Sequence, residues 1–265
     1  MQHSALLNVM IAAARKAARA LKRDFGELEK LQVSLKSPGN FVSAADRRAE
    51  ETLHAELMKA RPGYGFLGEE GGHREGADKT HTWIVDPLDG TTNFLHGIPQ
   101  FAISIALERE STVVAGLIYN PATDEMFVAE RGKGAFLNDQ RIRVAARKRL
   151  ADAVIACGLP HHGRGDIGRS RKETGAMQEH VAGLRRFGAA ALDLAWVAAG
   201  RLDGYWERDV NAWDVAAGVI LVREAGGFVT DCDGGDNIFG KKHIVAGNEA
   251  VQKELVSVLK KAGKS

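Results

Sequence analysis

Between Thr82 and Asn138 the chain reads TWIVD (82–86), FAISIALE (101–108), TVVAGLIYN (112–120), EMFVAE (125–130) and AFLN (135–138). Each run is short and rich in β-branched and aromatic residues, the types that fit a pleated strand. Breakers such as Asn120-Pro121 and Arg131-Gly132 separate the runs. Five consecutive strands with tight turns predict an antiparallel or mixed sheet rather than a βαβ series. Upstream, Leu6, Met10, Ala13, Ala17, Leu21 and Phe25 recur every three or four residues and predict an amphipathic helix. A second helix is expected from about Ser43 to Ala60, opened by a cap-like Ser43 and Asp46 and stopped by Pro62-Gly63. The segment GGHREGADK (71–79) reads as a polar loop.

From about Arg143 onward strands and helices alternate. AVIACG (153–158), LRRFG (184–188) and HIVAG (243–247) read as strands. Arg169 to Ala182, AAALDLAWVAAG (189–200), VAAGVILVREAGG (215–227) and a stretch from about Glu249 read as helices. No repeat, low-complexity tract or long linker intervenes. The expectation is an α+β protein in one continuous unit, with an N-terminal α+β subdomain over 1–145 and a C-terminal α/β subdomain over 146–265. Helices are expected to be sandwiched between the sheets.

Composition narrows the function. Hydrophobic residues make up 45% and charged ones 26% of 265 residues, which fits a globular core and excludes a disordered tail. Lys plus Arg total 36 against 34 for Asp plus Glu, so the net charge of +2 gives no global attraction to nucleic acid or membrane. Two cysteines, Cys157 and Cys232, cannot build a zinc cage and suggest no disulfide framework. The apolar N-terminal stretch is interrupted by Arg15, Lys16, Arg19, Lys22 and Arg23 and has neither a membrane span's length nor a secretory signal's charge order. A cytoplasmic protein is expected.

The chemistry concentrates in WIVDPLDGTTNF (83–94). Asp86 and Asp89 come where an apolar strand meets Pro87, which is expected to stop the ladder and force a turn. Two carboxylates at that spacing can converge, with the Leu88 carbonyl facing the same way, and oxygen donors of this kind suit a hard cation such as Mg²⁺. Gly90, Thr91 and Thr92 follow. Glycine lets a phosphate approach the backbone, and the next residues can open a short helix whose amides suit an anion. Glu69 follows the apolar Phe66-Leu67 and, taken alone, reads as a solvated loop residue. Asp214 opens an apolar helix and, taken alone, reads as an ordinary N-cap, so both gain weight only in combination with Asp86 and Asp89.

With GEE at 68–70, DPLDGTTNF at 86–94 and WDVAAG at 213–218, the chain resembles the inositol monophosphatase family of Mg²⁺-dependent, Li⁺-sensitive phosphatases. GNFVSAAD (39–46), AALDLAWVAAGRLDGYWE (190–207) and EAGG (224–227) extend the resemblance over nearly the whole chain. It implies a layered αβαβα sandwich, with a large mixed or antiparallel sheet and a second, smaller one, and a cytoplasmic homodimer. It also implies a hydrolase for myo-inositol monophosphates or similar polyol and sugar monophosphates. Carried onto this chain, one metal falls to Glu69, Asp86 and the Leu88 carbonyl, and a second to Asp86, Asp89 and Asp214. A weaker third ion falls near Glu69, with Asp46 in its outer shell, and Glu70 is not an expected ligand. Glu69 and Thr91 orient the attacking water. Gly90, Thr91 and Thr92 hold phosphate, while Asp89, the backbone at Ala190 and Glu207 meet substrate hydroxyls. Lys36 matches a lysine near the metal entrance. Ala189 stands where bacterial members often carry Ser. Fructose 1,6-bisphosphate, histidinol phosphate and 3′-phosphoadenosine 5′-phosphate are the alternative substrates.

Other candidates read more blandly. His161-His162 in HHGRGD look like solvated loop residues, and RGD at 164–166 like a chance tripeptide. His96 suits a structural hydrogen bond, and both cysteines lack an adjacent base. Arg141, Arg143, Arg147, Lys148 and Arg149, with Arg169, Arg171 and Lys172, form basic clusters. They read as solvated surface, since no aromatic stacking platform accompanies them. Because some bacterial members of the family assist transcription, RNA or RNA polymerase stands as a secondary partner class.

Overall fold

A computed structural model describes residues 3–27, 33–37, 40–160 and 163–263. The side chains of Lys36 and Ser43, and the whole of His161 and His162, lie outside the described residues. The N-terminal half runs α1 (Ala5–Phe25), β1 (Val33–Ser37), β2 (Asn40–Ser43), α2 (Ala44–Ala60), β3 (Gly65–Gly68), β4 (Gly72–Arg74), β5 (His81–Asp89) and α3 (Thr91–Leu95). A meander follows: β6 (Ala102–Arg109), β7 (Thr112–Asn120), β8 (Glu125–Glu130), β9 (Gly134–Leu137) and β10 (Gln140–Ile142). The second half runs β11 (Val154–Cys157), α4 (Ile167–Gln178), β12 (Gly183–Arg185), α5 (Ala190–Ala198), β13 (Gly204–Arg208), α6 (Ala212–Glu224), β14 (Phe228–Thr230), α7 (Ile238–Lys241), β15 (His243–Gly247) and α8 (Glu249–Ala262).

The layers are αβαβα, as the resemblance implies. Helices α1 and α2 cover one face of an eight-stranded sheet of order β10-β9-β8-β7-β6-β5-β3-β4, antiparallel except where β3 pairs parallel with β5. Helices α5 and α6 fill the middle, and α4 and α8 cover the far face of a five-stranded sheet of order β12-β11-β13-β15-β14. Strand alternation divides the core. Trp83 and Val85 face α1 and α2, whereas Ile84 faces α5 and α6. Small residues let the middle layer seat closely: a Cβ on Gly116 of β7 would lie 2.4 Å from Ile220 of α6, and one on Gly218 would lie 2.4 Å from Leu194 of α5.

Several local expectations are corrected. The α1 stripe is wider than expected: Leu7, Ala14 and Ala18 are buried beside Met10, Ala13, Ala17 and Leu21, while Leu6 and Phe25 pack half-buried against the same core. The GGHREGADK loop holds strand β4, which pairs with β3 across a tight turn. Helix α4 starts earlier and ends earlier than expected, because Asp166 caps it by accepting the Arg169 N–H at 2.9 Å and Glu179 closes it. Pro87 does not end β5. Asp86 pairs with Ser104 and Asp89 with Ala102, so three steps on β5 match two on β6, and the proline sits in a bulge.

Candidate active site

That bulge decides the geometry. Residues three apart on a regular strand point to opposite faces. One extra residue restores the parity, so Asp86 and Asp89 stand opposite Ser104 and Ala102, two residues apart on β6, and share the face covered by α5 and α6. Asp86 Oδ1 accepts the Leu88 N–H at 2.9 Å, which fixes the bulge locally. Gly90 follows at φ 86° and caps α3. A Cβ there would lie 2.8 Å from the Gln100 carbonyl, so both conformation and space require glycine.

The loop is tied across the seam between the two halves. Asn93 donates from Nδ2 to the Gln100 carbonyl at 2.8 Å and the Phe187 carbonyl at 2.7 Å. The Ala191 N–H donates to Asp89 Oδ2 at 2.7 Å. Ala189, the N-cap residue of α5, has no capping side chain. Asp89, from β5, supplies that acceptor, which is why alanine suffices at a position where a serine is expected. Asp214 is not the N-cap of α6. Asn211 holds that position, and Asp214 sits at the third helical residue, accepting the Asn211 N–H at 2.6 Å in a capping box. Thr91 Oγ1 lies 2.9 Å from the Leu88 carbonyl and 3.4 Å from Asp46 Oδ2. A hydroxyl has one proton to donate, and the shorter contact takes it.

Glu69, Asp86, Leu88, Asp89, Gly90, Thr91, Thr92, Ala190, Glu207 and Asp214 all line one cavity of about 290 Å³. Asp46 is not on its wall, but its carboxylate, with those of Glu69 and Glu70, offers oxygens within 4.8 Å of one another. Glu70, set aside from the sequence, therefore stands beside Glu69 and Asp46. Glu207 on β13 accepts a hydrogen bond from Tyr205, and a Cβ on Gly158 would lie 1.8 Å from its carboxyl carbon.

Charge follows from this crowding. Burial pushes the Asp86 carboxyl well above the usual carboxylate range, and the charges of Glu69, Asp89, Asp214 and Asp46 push the same way. Burial raises Asp89 as well, as does Asp214, against the opposing pull of the Ala191 amide. Asp214 is pushed up to about 7, chiefly by burial, while the Asn211 hydrogen bond opposes the rise. Acids that hold one another's protons in this way are the donor set a hard divalent cation satisfies, because its charge removes the repulsion that protonation otherwise relieves.

These residues also carry a signature beyond geometry. The chain matches the model described as the inositol monophosphatase family over residues 2–264. It belongs to that family. It is 62% identical to the inositol-1-monophosphatase of Mesorhizobium japonicum over 98% of both chains. It is 42% identical to the Nus factor SuhB of Pseudomonas aeruginosa, over 96% of this chain and 95% of the other. The crystal structure of the extragenic suppressor protein suhB from Bartonella henselae superposes with a TM-score of 0.95 at 59% identity, covering 97% and 99% of the two chains.

Sequence reading missed several residues of this inositol monophosphatase family cleft. Arg164, in the supposed chance tripeptide, and Arg186 line its wall. So does Asp193, which is 1% exposed and leaves Oδ1 buried without a hydrogen-bond partner. An acid inside the apolar run AALDLAW was the available signal. Cys157 also reaches the wall, but burial pushes its thiol up to about 12. His96 is exposed and off the cavity wall. Part of the basic surface is paired, with Arg147 on Asp203 at 3.1 Å, Arg149 on Asp152 at 2.7 Å and Arg169 on Glu173 at 3.0 Å. Among the described residues no helix is long and apolar enough to cross a membrane.

Proposed function

We propose that the protein is a Mg²⁺-dependent phosphomonoesterase acting on myo-inositol monophosphates and similar polyol or sugar monophosphates, as a cytoplasmic homodimer sensitive to Li⁺. The observation that carries this reading is one cavity lined by Glu69, Asp86, Asp89 and Asp214 together with the Gly90–Thr92 turn. Glu69, Asp86, the Leu88 carbonyl, Asp89 and Asp214 would hold two Mg²⁺ ions, with a third near Asp46 and Glu69. Mg²⁺ supplies phosphate charge neutralisation and a lowered pKa for water.

The chain's own residues do the rest. Glu69 and Thr91 orient a water for in-line attack on phosphorus, and the Glu69 carboxylate takes up its proton. The Gly90 and Thr91 amides hold the phosphate oxygens as the new P–O bond forms and the ester P–O bond breaks. A water beside Asp214 returns a proton to the departing alkoxide, so no covalent phosphoenzyme is required. Glu207, Asp89 and the Ala190 backbone accept and donate hydrogen bonds to the leaving group's hydroxyls.

Phosphate release across inositol, sugar, nucleotide and amino-alcohol monophosphates tests this. Hydrolysis should require Mg²⁺ and disappear in Asp86→Asn, and full activity in excess EDTA would refute it. A preference in that screen for fructose 1,6-bisphosphate, histidinol phosphate or 3′-phosphoadenosine 5′-phosphate would reassign the substrate and keep the chemistry. A second reading, an accessory role on RNA or RNA polymerase, is favoured by the 42% identity to a Nus factor. It requires salt-sensitive binding that survives Asp89→Asn, and no binding at low salt would sink it.

A further inference from the structure

Glu50 has no part in the chemistry above, yet it is only 5% exposed. It follows Asp46 by one turn of α2, and the four-residue spacing stacks both acids on one helix face. Asp46 sits in the first turn of α2, where the helix dipole favours an acid, but Glu50 one turn on adds a like charge beside it, so helix stability does not account for Glu50. The two Glu50 oxygens have separate partners: Oε2 accepts the Glu70 N–H at 2.8 Å and Oε1 accepts the Gly71 N–H at 2.7 Å. Those amides form the turn directly after Glu69. A carboxylate accepts at both oxygens, whereas a glutamine would turn its NH₂ toward one of the two amides. The space is cut to fit. A Cβ on Gly68 would lie 2.5 Å from Oε2, and one on Gly71 would lie 2.7 Å from Oε1.

We propose that Glu50 is a positioning residue for the metal cluster: its carboxylate clamps the Glu69–Gly71 turn and sets the aim of Glu69 and Glu70 toward Asp46. The inference rests on the metal reading of those acids. Groups behind metal ligands typically change metal affinity by about 10- to 100-fold when removed, and that loss is expected here. The experiment is a calorimetric titration of Mg²⁺ into metal-free protein, with no substrate, for wild type, E50Q, E50D and D86N, alongside melting curves. Both Glu50 variants should bind Mg²⁺ at least about tenfold more weakly and recover most of the wild-type kcat at saturating Mg²⁺. A merely structural role would lower the Tm and leave the affinity of the folded protein unchanged.

Wild-type affinity in either folded variant would overturn the proposal. So would weak binding by E50Q beside normal binding by E50D, which would assign the effect to charge rather than to the clamp. If E50Q does not fold, E50D decides alone, because it keeps the charge but falls one methylene short of the amides. Unaltered binding by D86N would instead refute the underlying metal reading, and the proposal with it.

Discussion

Metal-free protein should lose stability as pH rises, and the divalent cation should restore it. The Asp214 carboxyl is raised from 3.8 to about 7 in the folded chain. A folded pKa above the unfolded one contributes stability that is fully present below the unfolded value and is lost as pH climbs through the folded value. At about 1.36 kcal/mol per pH unit, Asp214 alone removes ~3 kcal/mol between pH 5 and 8. Asp86 and Asp89 are raised for the same reason and act in the same direction. Surface acids such as Asp78, held down to about 2 by hydrogen bonds from Thr80, are ionised in both states across this range and add no slope. His54 and His243, both lowered by burial, oppose the trend. Their contribution cancels when the protein is compared with and without saturating Mg²⁺ at each pH. With ~2–4 °C per kcal/mol for a chain near this size, the gain in Tm from Mg²⁺ should grow by ~6–12 °C from pH 5 to pH 8. Differential scanning calorimetry in EDTA and in Mg²⁺ measures it. A gain equal at both pH values, or larger at pH 5, would refute the crowding argument.

Gly90→Ala forces a left-handed conformation costing ~1–2 kcal/mol and drives a methyl to 2.8 Å from the Gln100 carbonyl. It should lower Tm by several degrees and kcat severely, and unchanged turnover would remove the phosphate cradle from the account. Gly158→Ala places a Cβ 1.8 Å from the Glu207 carboxyl carbon. It should raise KM for inositol phosphate far more than for p-nitrophenyl phosphate, which lacks ring hydroxyls; equal effects would detach Glu207 from substrate recognition. Burial pushes the Cys157 and Cys232 thiols up to about 12. Native protein should therefore resist iodoacetamide at pH 8 and take up two equivalents only when unfolded, as followed by mass spectrometry, and rapid native labelling would contradict the packing.

Periodicity carried the meander well, because TVVAGLIYN and EMFVAE coincide with β7 and β8. It carried the middle layer almost as well, since two apolar helices with small residues have nowhere to go but between sheets. What it missed were elements whose partners are distant. GYWER became β13 only because β11 and β15 flank it, and GHR became β4 only by pairing with β3. At the site, DPLDG announced its chemistry, but the bulge that aligns Asp86 with Asp89 depends on register with β6, which no local pattern encodes. Asp214 looked like a cap because it shares the cap's neighbourhood, and Asn211 three residues earlier decided the matter. Arg164 was read as part of a chance tripeptide and Arg186 was passed over, because loop and short-strand patterns say nothing about which wall of a cavity they reach.

The central claim is that Glu69, Asp86, Asp89 and Asp214 together hold the divalent ions that make this cleft a phosphatase. Anomalous diffraction from crystals grown with Mn²⁺ and phosphate tests it most directly. The account predicts at least two anomalous peaks, one bonded to Glu69, Asp86 and the Leu88 carbonyl and another to Asp86, Asp89 and Asp214, with phosphate on the Gly90–Thr91 amides. Peaks confined to the Asp46–Glu69–Glu70 cluster, with Asp89 and Asp214 bare, would contradict it.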